Sequence, residues 1–213
     1  MVQRLPHLMT VLIVSLGLLA WWQSTQGFRA FTWESYRRLQ VAAHPITVPN
    51  VELEDQWGHR QSITSLRGKV LIINFIYTRC PTVCGYTGLN LSRLQRKLQQ
   101  RGYQDRVRLL SISLDPQYDT PPKLKAYMQR FTQRLDTSWQ TVRPVNQQEG
   151  KNLLQQLGVV SIPDGIGGIT HNAATHIVDQ QGRLVRIINE DNIDLTLNII
   201  QELLVTKTGS NNV

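Results

Sequence analysis

The hydrophobic pattern changes its period along the chain, and this change separates predicted strands from predicted helices. Residues 70–77 are apolar at nearly every position and rich in β-branched and aromatic side chains, which predicts a strand covered on both faces. Residues 107–114 predict a second buried strand. Helical periodicity and turn signals predict a hairpin over 51–64, helices over 89–100, 121–131, 150–157 and 195–205, and a hairpin that pairs 175–178 with 183–188.

The order of these elements predicts an α/β sandwich with a central mixed β-sheet flanked by helices. The strand over 70–77 is expected near the centre of the sheet, since it has no polar face to present to water. At the start of the helix over 121–131, we expect Asp119 or Thr120 to cap the first N–H groups and Pro121 to occupy the first turn.

The N-terminus has the features of a targeting segment. Residues 8–22 are almost wholly apolar, Arg4 precedes them, and a pair of tryptophans ends the run. This length lies between the core of a signal peptide and a membrane-spanning helix of about 17–25 residues. The tryptophan pair favours an uncleaved anchor, and cleavage after the small residues Thr25 and Gly27 is the alternative.

We therefore predict four segments along the chain. They are an N-terminal membrane anchor or signal segment over 1–28, a linker over 29–44, a folded domain over 45–208 and a disordered tail over 209–213. Because the basic tip stays inside, the domain is expected to face the periplasm or another extracytoplasmic side of the inner (cytoplasmic) membrane.

Composition and charge narrow the class of protein. The chain has 213 residues, 41% of them hydrophobic, and a net charge of +8, which excludes a disordered chain and allows one sizeable core. Removal of residues 1–28 takes away one arginine and no acid, leaving +7. Part of this charge lies in Arg93, Arg96, Lys97 and Arg101. This cluster is either a solvated helix face or a surface for anionic lipid or an acidic partner, and no motif indicates nucleic-acid binding.

The chain contains only two cysteines, Cys80 and Cys84, placed between the predicted central strand and a helix. Pro81 suits the first turn of that helix, whose N-terminal partial charge stabilises a thiolate at Cys80. A spacing of four places both cysteines on one helix face with Cα atoms about 6 Å apart, within reach of a disulfide. The pair is therefore a candidate redox-active dithiol and also two ligands of a soft-metal site. A structural disulfide and inert cysteines remain alternatives.

A third metal ligand is expected to be a histidine, and five are present. His7, His44 and His59 are interpreted as surface residues. His171 and His176 flank the late hairpin; their spacing of five points them to opposite faces of an extended chain, so at most one can face the cysteines. Periodicity does not choose between them. The glycine-rich residues 164–168 before them are predicted to form a mobile loop that delivers a ligand.

Four ordered motifs over about residues 45–205 carry a resemblance to a known family. They are Gly68-Lys69-Val70 through Phe75-x-Tyr77-Thr78-x-Cys80-Pro81-x-x-Cys84, then Ile112-Ser113-Leu114-Asp115-Pro116-x-x-Asp119-Thr120-Pro121, then Leu124-x-x-Tyr127-x-x-x-Phe131, and His171 eleven residues before Gly182. In these motifs the chain resembles the SCO/SenC family of membrane-tethered, thioredoxin-like copper-binding proteins, which assist assembly of the binuclear copper centre of cytochrome c oxidase.

The resemblance implies a thioredoxin-like fold, copper as the bound metal, and a copper-accepting subunit of cytochrome c oxidase as the partner. It implies Cys80 and Cys84 as thiolate ligands and His171 as the third ligand. The family usually has an acidic residue where Thr82 stands, proline where Gly85 stands and an acidic residue where Thr170 stands. These departures change the surroundings of the site and leave the three ligand types in place. His176 is an extra candidate.

Two other functions remain open at this level. The main hypothesis is a copper chaperone rather than an enzyme. The alternative is an exported thiol–disulfide oxidoreductase that acts on cysteines of a target protein, which needs the dithiol and not the histidine. A tethered interaction domain with an inert disulfide is the third. Asp115 is interpreted as a group beside the site or as part of a turn, and Tyr77 and Arg79 as partner contacts or as packing and surface charge.

Overall fold

A computed structural model of the protein describes residues 4–25, 27, 31–80, 83–165 and 168–205. The chain divides into two units, Met1–His44 and Pro45–Val213. The predicted tail over 209–213, together with Pro81 and Thr82, lies outside the described residues.

The first unit contains two helices, α1 (Arg4–Ser24) and α2 (Trp33–Ala43). Helix α1 covers the apolar run, and among the described residues no helix combines the length and apolarity needed to cross a membrane. Helix α2 lies within the predicted linker over 29–44 and was not expected. The start of α2 is marked by a capping box, in which Thr32 and Ser35 exchange side-chain and backbone hydrogen bonds.

The second unit is built on an eight-stranded sheet with the order β1-β10-β9-β4-β5-β6-β2-β3. The strands of this sheet are β1 (Ile46–Thr47), β2 (Glu52–Asp55), β3 (Arg60–Ser62), β4 (Val70–Ile76), β5 (Val107–Ser113), β6 (Trp139–Pro144), β9 (Thr175–Val178) and β10 (Arg183–Ile188). A separate two-stranded sheet pairs β7 (Ser161–Pro163) with β8 (Ile169–His171). The helices are α3 (Val83–Gln100), α4 (Pro121–Gln129), α5 (Gln147–Gln156) and α6 (Ile193–Val205), with a 3₁₀ turn at Ile63–Leu66.

The sheet is mixed, as predicted. Strands β4, β5 and β6 are parallel to one another, whereas β9 and β2 pair antiparallel at either side of them. Every residue of β4 and β5 is buried, which confirms the interpretation of their sequences as strands covered on both faces. The predicted hairpins are β2–β3 and β9–β10.

The two faces of β4 are covered by different helices. Val70 and Ile72 pack in one core cluster with α3 residues such as Leu94 and α6 residues such as Ile200. Phe75, on the alternate set of positions, faces a small cleft beside Leu153 of α5. The face on which a side chain of the sheet lies therefore decides whether it can approach α3.

Three local expectations need correction. Strand β6 was not predicted, because its sequence has no clear period of apolar and polar positions; it is buried between β5 and β2. Helix α3 begins at Val83, six residues before the periodic stretch over 89–100 and three residues after Cys80, where the cysteine segment predicts the helix start. Pro121 is in the first turn of α4 as expected, but the Thr120 side chain makes no capping hydrogen bond.

Candidate dithiol and metal site

The two cysteines lie at the junction between β4 and α3. After β4 the chain turns, and the Cys80 N–H donates to the carbonyl of Tyr77 at 3.2 Å. Cys84 is the second residue of α3, and its N–H points at the Cys80 sulfur, 3.5 Å away. No disulfide joins the two cysteines. The start of α3 thus brings a backbone donor to the Cys80 sulfur, an arrangement that favours a thiolate there.

The two sulfurs differ in exposure. Cys80 is half-buried, whereas Cys84 is 1% exposed and packs in an apolar cluster with Ile76, Tyr77 and Tyr127. Burial raises the pKa of the Cys84 thiol to about 12, with the Cys80 side chain adding to the increase and the backbone of Tyr77 opposing it. Cys84 is therefore a thiol at neutral pH, although it lies in the first turn of α3.

His171 lies beside this cluster, at the end of β8. Its ring and that of Tyr77 meet edge to face with centroids 6.5 Å apart, and Ile169 of the same strand packs against the cysteine cluster. The imidazole is half-buried, and its Nδ1 atom has no hydrogen-bond partner among the described residues. Burial lowers the pKa of His171, with the backbone of Asn172 opposing the shift, so the ring is held in the neutral form that binds metals.

His176 lies elsewhere. It is fully buried in β9, pairs in register with Ile73 of β4, and contacts Phe75 edge to face with ring centroids 5.5 Å apart. Directly paired residues share one face of a sheet, so His176 lies on the face opposite the one that packs against α3. The structure therefore brings only His171, and not His176, to the side of the sheet that carries the cysteines.

His171 ends the second strand of a short hairpin in which β7 and β8 pair antiparallel. The predicted loop over 164–168 connects these strands; Asp164 accepts the Gly168 N–H at 2.7 Å, and residues 166–167 lie outside the described residues. The Asn172 side chain joins the base of the hairpin to Val160 and Gly158. In the parts of the chain that are described, no three side chains of His, Cys, Asp or Glu are close enough to hold a metal ion.

Asp115 and Asp119 support the turn that carries Cys80. The Asp115 carboxylate accepts a hydrogen bond from Arg79 at 2.6 Å, and its carbonyl accepts the Tyr118 and Asp119 N–H groups, so Asp115 both forms a turn and lies beside the site. Asp119, expected to cap α4, instead accepts hydrogen bonds from the Thr78 and Ser113 hydroxyls. Burial raises the pKa of this carboxyl group, and the hydrogen bonds from Ser113 and Thr78 oppose the shift.

Two further residues lie at the site with roles that the sequence did not predict. The buried Tyr127, which the sequence marks only as part of the third family motif, donates its hydroxyl to the Cys84 carbonyl at 2.7 Å. Glu190, in the turn before α6, accepts the Thr87 hydroxyl at 2.6 Å, and burial raises its pKa. Nothing in the local sequence indicates that Glu190 faces α3.

The remaining residues singled out from the sequence lie away from the thiols or carry no contact with them. His44 is exposed at the end of α2, the His59 side chain is 79% exposed, and the side chain of His7 is outside the described residues. Thr170 is exposed. Gly85 follows Cys84 in α3, and a Cβ atom at this position would meet no atom within 4 Å.

The fold and its paired thiols define an α/β protein of the thioredoxin-like class. Residues 41–204 match the SCO1/SenC family model, and the chain belongs to this family. It is 28% identical over 153 residues to the SCO1 protein homolog of Bacillus subtilis, covering 71% of this chain and 75% of that protein.

Solved structures agree with this assignment. The structure of Bradyrhizobium japonicum ScoI with copper bound is 28% identical, with a TM-score of 0.61, and covers 73% of this chain and 99% of that one. BsSco, in which a disulfide switch is described and which is called a member of the Sco family of cytochrome c oxidase assembly proteins, has a TM-score of 0.65 at 24% identity, covering 74% of this chain and 93% of that one.

Proposed function

We propose that this protein is a membrane-tethered copper chaperone that binds Cu(I) through Cys80, Cys84 and His171 and delivers it for assembly of the binuclear copper centre of cytochrome c oxidase. The observation that carries the proposal is the placement of the His171 ring against Tyr77, which packs in one cluster with Cys80 and Cys84. The buried Nδ1 atom of His171 has no partner among the described residues, and the two thiols are not joined in a disulfide. The copper-bound relative ScoI supports the choice of metal.

The residue types suit Cu(I) as a cargo. Thiolate sulfur and imidazole nitrogen are the ligands that this soft ion prefers, and three ligands leave room for a ligand of the recipient to enter. Because Cys84 is protonated at neutral pH, loading must displace its proton, and transfer to the recipient returns one. His171 supplies a neutral ring without a proton cost.

Oxidation of the thiol pair would remove the cargo site. A Cys80–Cys84 disulfide takes both thiolates away from Cu(I), so the redox state of the pair controls whether the protein can carry copper. This coupling is consistent with the disulfide switch described for BsSco, which shares the fold.

An anaerobic Cu(I) titration of the reduced full chain in mild detergent, against a competing chelator, tests the proposal. We expect one equivalent of Cu(I) to bind tightly, with an affinity lowered by more than about 10-fold in Cys80→Ser and His171→Ala. Loss of a group that only hydrogen-bonds to a metal ligand already lowers metal affinity by at least about this factor. His59→Ala, at an exposed histidine, and His176→Ala, on the other face of the sheet, should retain the affinity. Equal affinity in the parent and Cys80→Ser would overturn the proposal.

A thiol–disulfide oxidoreductase is the second candidate. The observation that favours it is the asymmetry of the pair: Cys80 is accessible and receives the Cys84 N–H, while Cys84 is buried behind it as a resolving thiol. In that case Cys80→Ser would abolish reduction of a target disulfide, and His171→Ala would leave the rate unchanged. Loss of both copper binding and in vivo oxidase assembly in His171→Ala would favour the chaperone.

The proposed function includes attachment of the protein to the membrane through its N-terminal segment. The apolar run in α1 and the basic residue before it support attachment to the inner membrane, with the second unit on the extracytoplasmic side. A reporter fused after Val205 and cell fractionation test this: removal of residues 1–28 should release the protein from the membrane fraction. Membrane attachment of the shortened chain would contradict the tether.

A further inference from the structure

A cationic groove lies directly beside the thiol pair. It is open, has a volume of about 310 Å³, and runs from the turn after β4 along one side of α4. It is lined by Thr78, Arg79, Tyr118, Lys123, Ala126, Tyr127 and Arg130. Thr78 and Arg79 immediately precede Cys80, and Tyr127 donates its hydroxyl to the Cys84 carbonyl. A molecule bound in this groove would therefore lie next to the thiols.

The groove carries more positive than negative charge. Arg79 is paired with Asp115 at 2.6 Å. Lys123 and Arg130 have no ion-pair partner among the described residues. Two formal positive charges are thus left for a ligand, at the part of the surface that adjoins Cys80.

Aromatic rings hold these cations in place. The Lys123 ammonium lies 3.2 Å from the centre of the Tyr118 ring, and the Arg79 guanidinium carbon lies 4.4 Å from the same centre. The Arg130 guanidinium carbon lies 4.9 Å from the centre of the Tyr127 ring. Cations ordered in this way lose less freedom when an anion binds.

We propose that this groove docks a carboxylate-rich segment of the protein that exchanges copper with Cys80 and Cys84. The inference rests on the proposed function for the role of that partner, and it adds the chemistry by which the partner is recognised. Arg and Tyr side chains grouped around a cleft are typical of protein-binding hot spots. Complementary charge at such a site raises the rate of productive encounter more than it raises affinity.

The geometry favours a protein segment over other anions. The groove extends over two turns of α4, from Lys123 to Arg130, which is more than a single phosphate can span. A membrane surface pressed against Arg79 and Lys123 would cover Cys80 and block exchange. An acidic segment of a protein can lie along the groove while its metal-binding residues reach the thiols.

A thiol-exchange assay tests docking without copper. The probe is a five-residue peptide whose central cysteine carries a 2-pyridyl disulfide and is flanked by four glutamates; its counterpart has four glutamines. The protein thiolate forms a bond to the peptide sulfur, and the original S–S bond breaks with its electron pair leaving on pyridine-2-thiolate, which is measured by absorbance. Rates for each variant are divided by its rate with 2,2′-dithiodipyridine, which corrects for changes in intrinsic thiol reactivity.

For the reduced full chain in mild detergent, we expect the acidic peptide to react about 10-fold faster than the neutral one at low salt, and this ratio to approach one at about 0.5 M salt. Lys123→Gln/Arg130→Gln should lower the ratio by about 5-fold. The matched control Lys125→Gln/Arg101→Gln has the same charge change outside the groove, and it should lower the ratio by less than about 2-fold.

Three results would overturn the proposal. Equal rates for the two peptides exclude docking of carboxylates, and equal losses in the two double variants indicate general charge attraction. Protection of Cys80 by phosphatidylglycerol vesicles in the parent and not in Lys123→Gln/Arg130→Gln would assign the groove to lipid headgroups. None of these readouts uses copper. The thiol-exchange assay therefore tests docking even if the copper titration fails, and failure of the proposed function is distinguishable from failure of this inference.

Discussion

The carboxylate of Asp119 accepts the Thr78 hydroxyl at 2.6 Å and so joins the turn after β4 to the turn before α4. The same carboxylate accepts the Ser113 hydroxyl at 2.6 Å, from the end of β5. Asp119 is completely buried, and burial of the charged form raises its pKa. The position of Cys80, two residues after Thr78, thus depends on a carboxylate that lies far from it in sequence.

Removal of this carboxylate should lower stability. In Asp119→Ala the hydroxyls of Thr78 and Ser113 lose their acceptor inside the protein, which we expect to reduce the free energy of unfolding by about 1–3 kcal/mol. Urea unfolding at neutral pH measures the change. Gln117→Ala, at an exposed position of the same turn, is the control and should change the value by less than about 0.5 kcal/mol. Equal effects of the two substitutions would contradict the role of Asp119.

The raised pKa of Asp119 also predicts a pH dependence. Its folded-state pKa lies above the ordinary value of 3.8, so the folded protein holds this proton more tightly than the unfolded chain does. The resulting contribution to stability is complete below the unfolded pKa and is lost as pH rises through the folded pKa. The free energy of unfolding of the parent minus that of Asp119→Asn should therefore fall as the pH rises above 3.8. Urea unfolding across this range measures it, and a difference that grows with pH would contradict the prediction.

Gly88 should be intolerant of any side chain. It lies in α3, where a Cβ atom would overlap the ring of Phe131. We expect Gly88→Ala to lower the free energy of unfolding by about 1–3 kcal/mol because the ring must move. Gly85→Ala, in the same helix with open space around the new atom, should be neutral or stabilise by up to about 1 kcal/mol. Chemical unfolding of the two variants checks this, and a stabilised Gly88→Ala would contradict the close approach.

The two thiols should differ in reactivity. In Cys84→Ser the half-buried Cys80 remains, and in Cys80→Ser the remaining Cys84 is 1% exposed with a pKa raised by burial. We expect iodoacetamide to modify Cys84→Ser about 10-fold or more faster than Cys80→Ser at pH 7. Mass spectrometry after timed quenching measures both rates. In urea the two rates should become similar, whereas a persisting difference in urea would show that the fold does not cause it.

Local patterns were sufficient for much of the fold. The buried run of β4 leaves no polar face, so its place inside the sheet follows from composition alone. Pro121 starts α4 because its ring suits the first turn, and Gly182, with φ of +81°, closes the late hairpin. Strand β6 was not predicted because its sequence has no clear period. It is buried because it lies between β5 and β2 in the sheet.

The sequence by itself determined the period of most strands and helices, the turns of the hairpins and the spacing of Cys80 and Cys84, because these depend on residues close together in the chain. Periodicity did not choose between His171 and His176, and only the family resemblance favoured His171. The tertiary structure separated them, because the pairing of His176 with Ile73 directs one ring away from α3 while β8 brings the other to Tyr77. Register between distant strands and the burial that raises the pKa of Cys84 arise only when the elements pack, so no local pattern contains them.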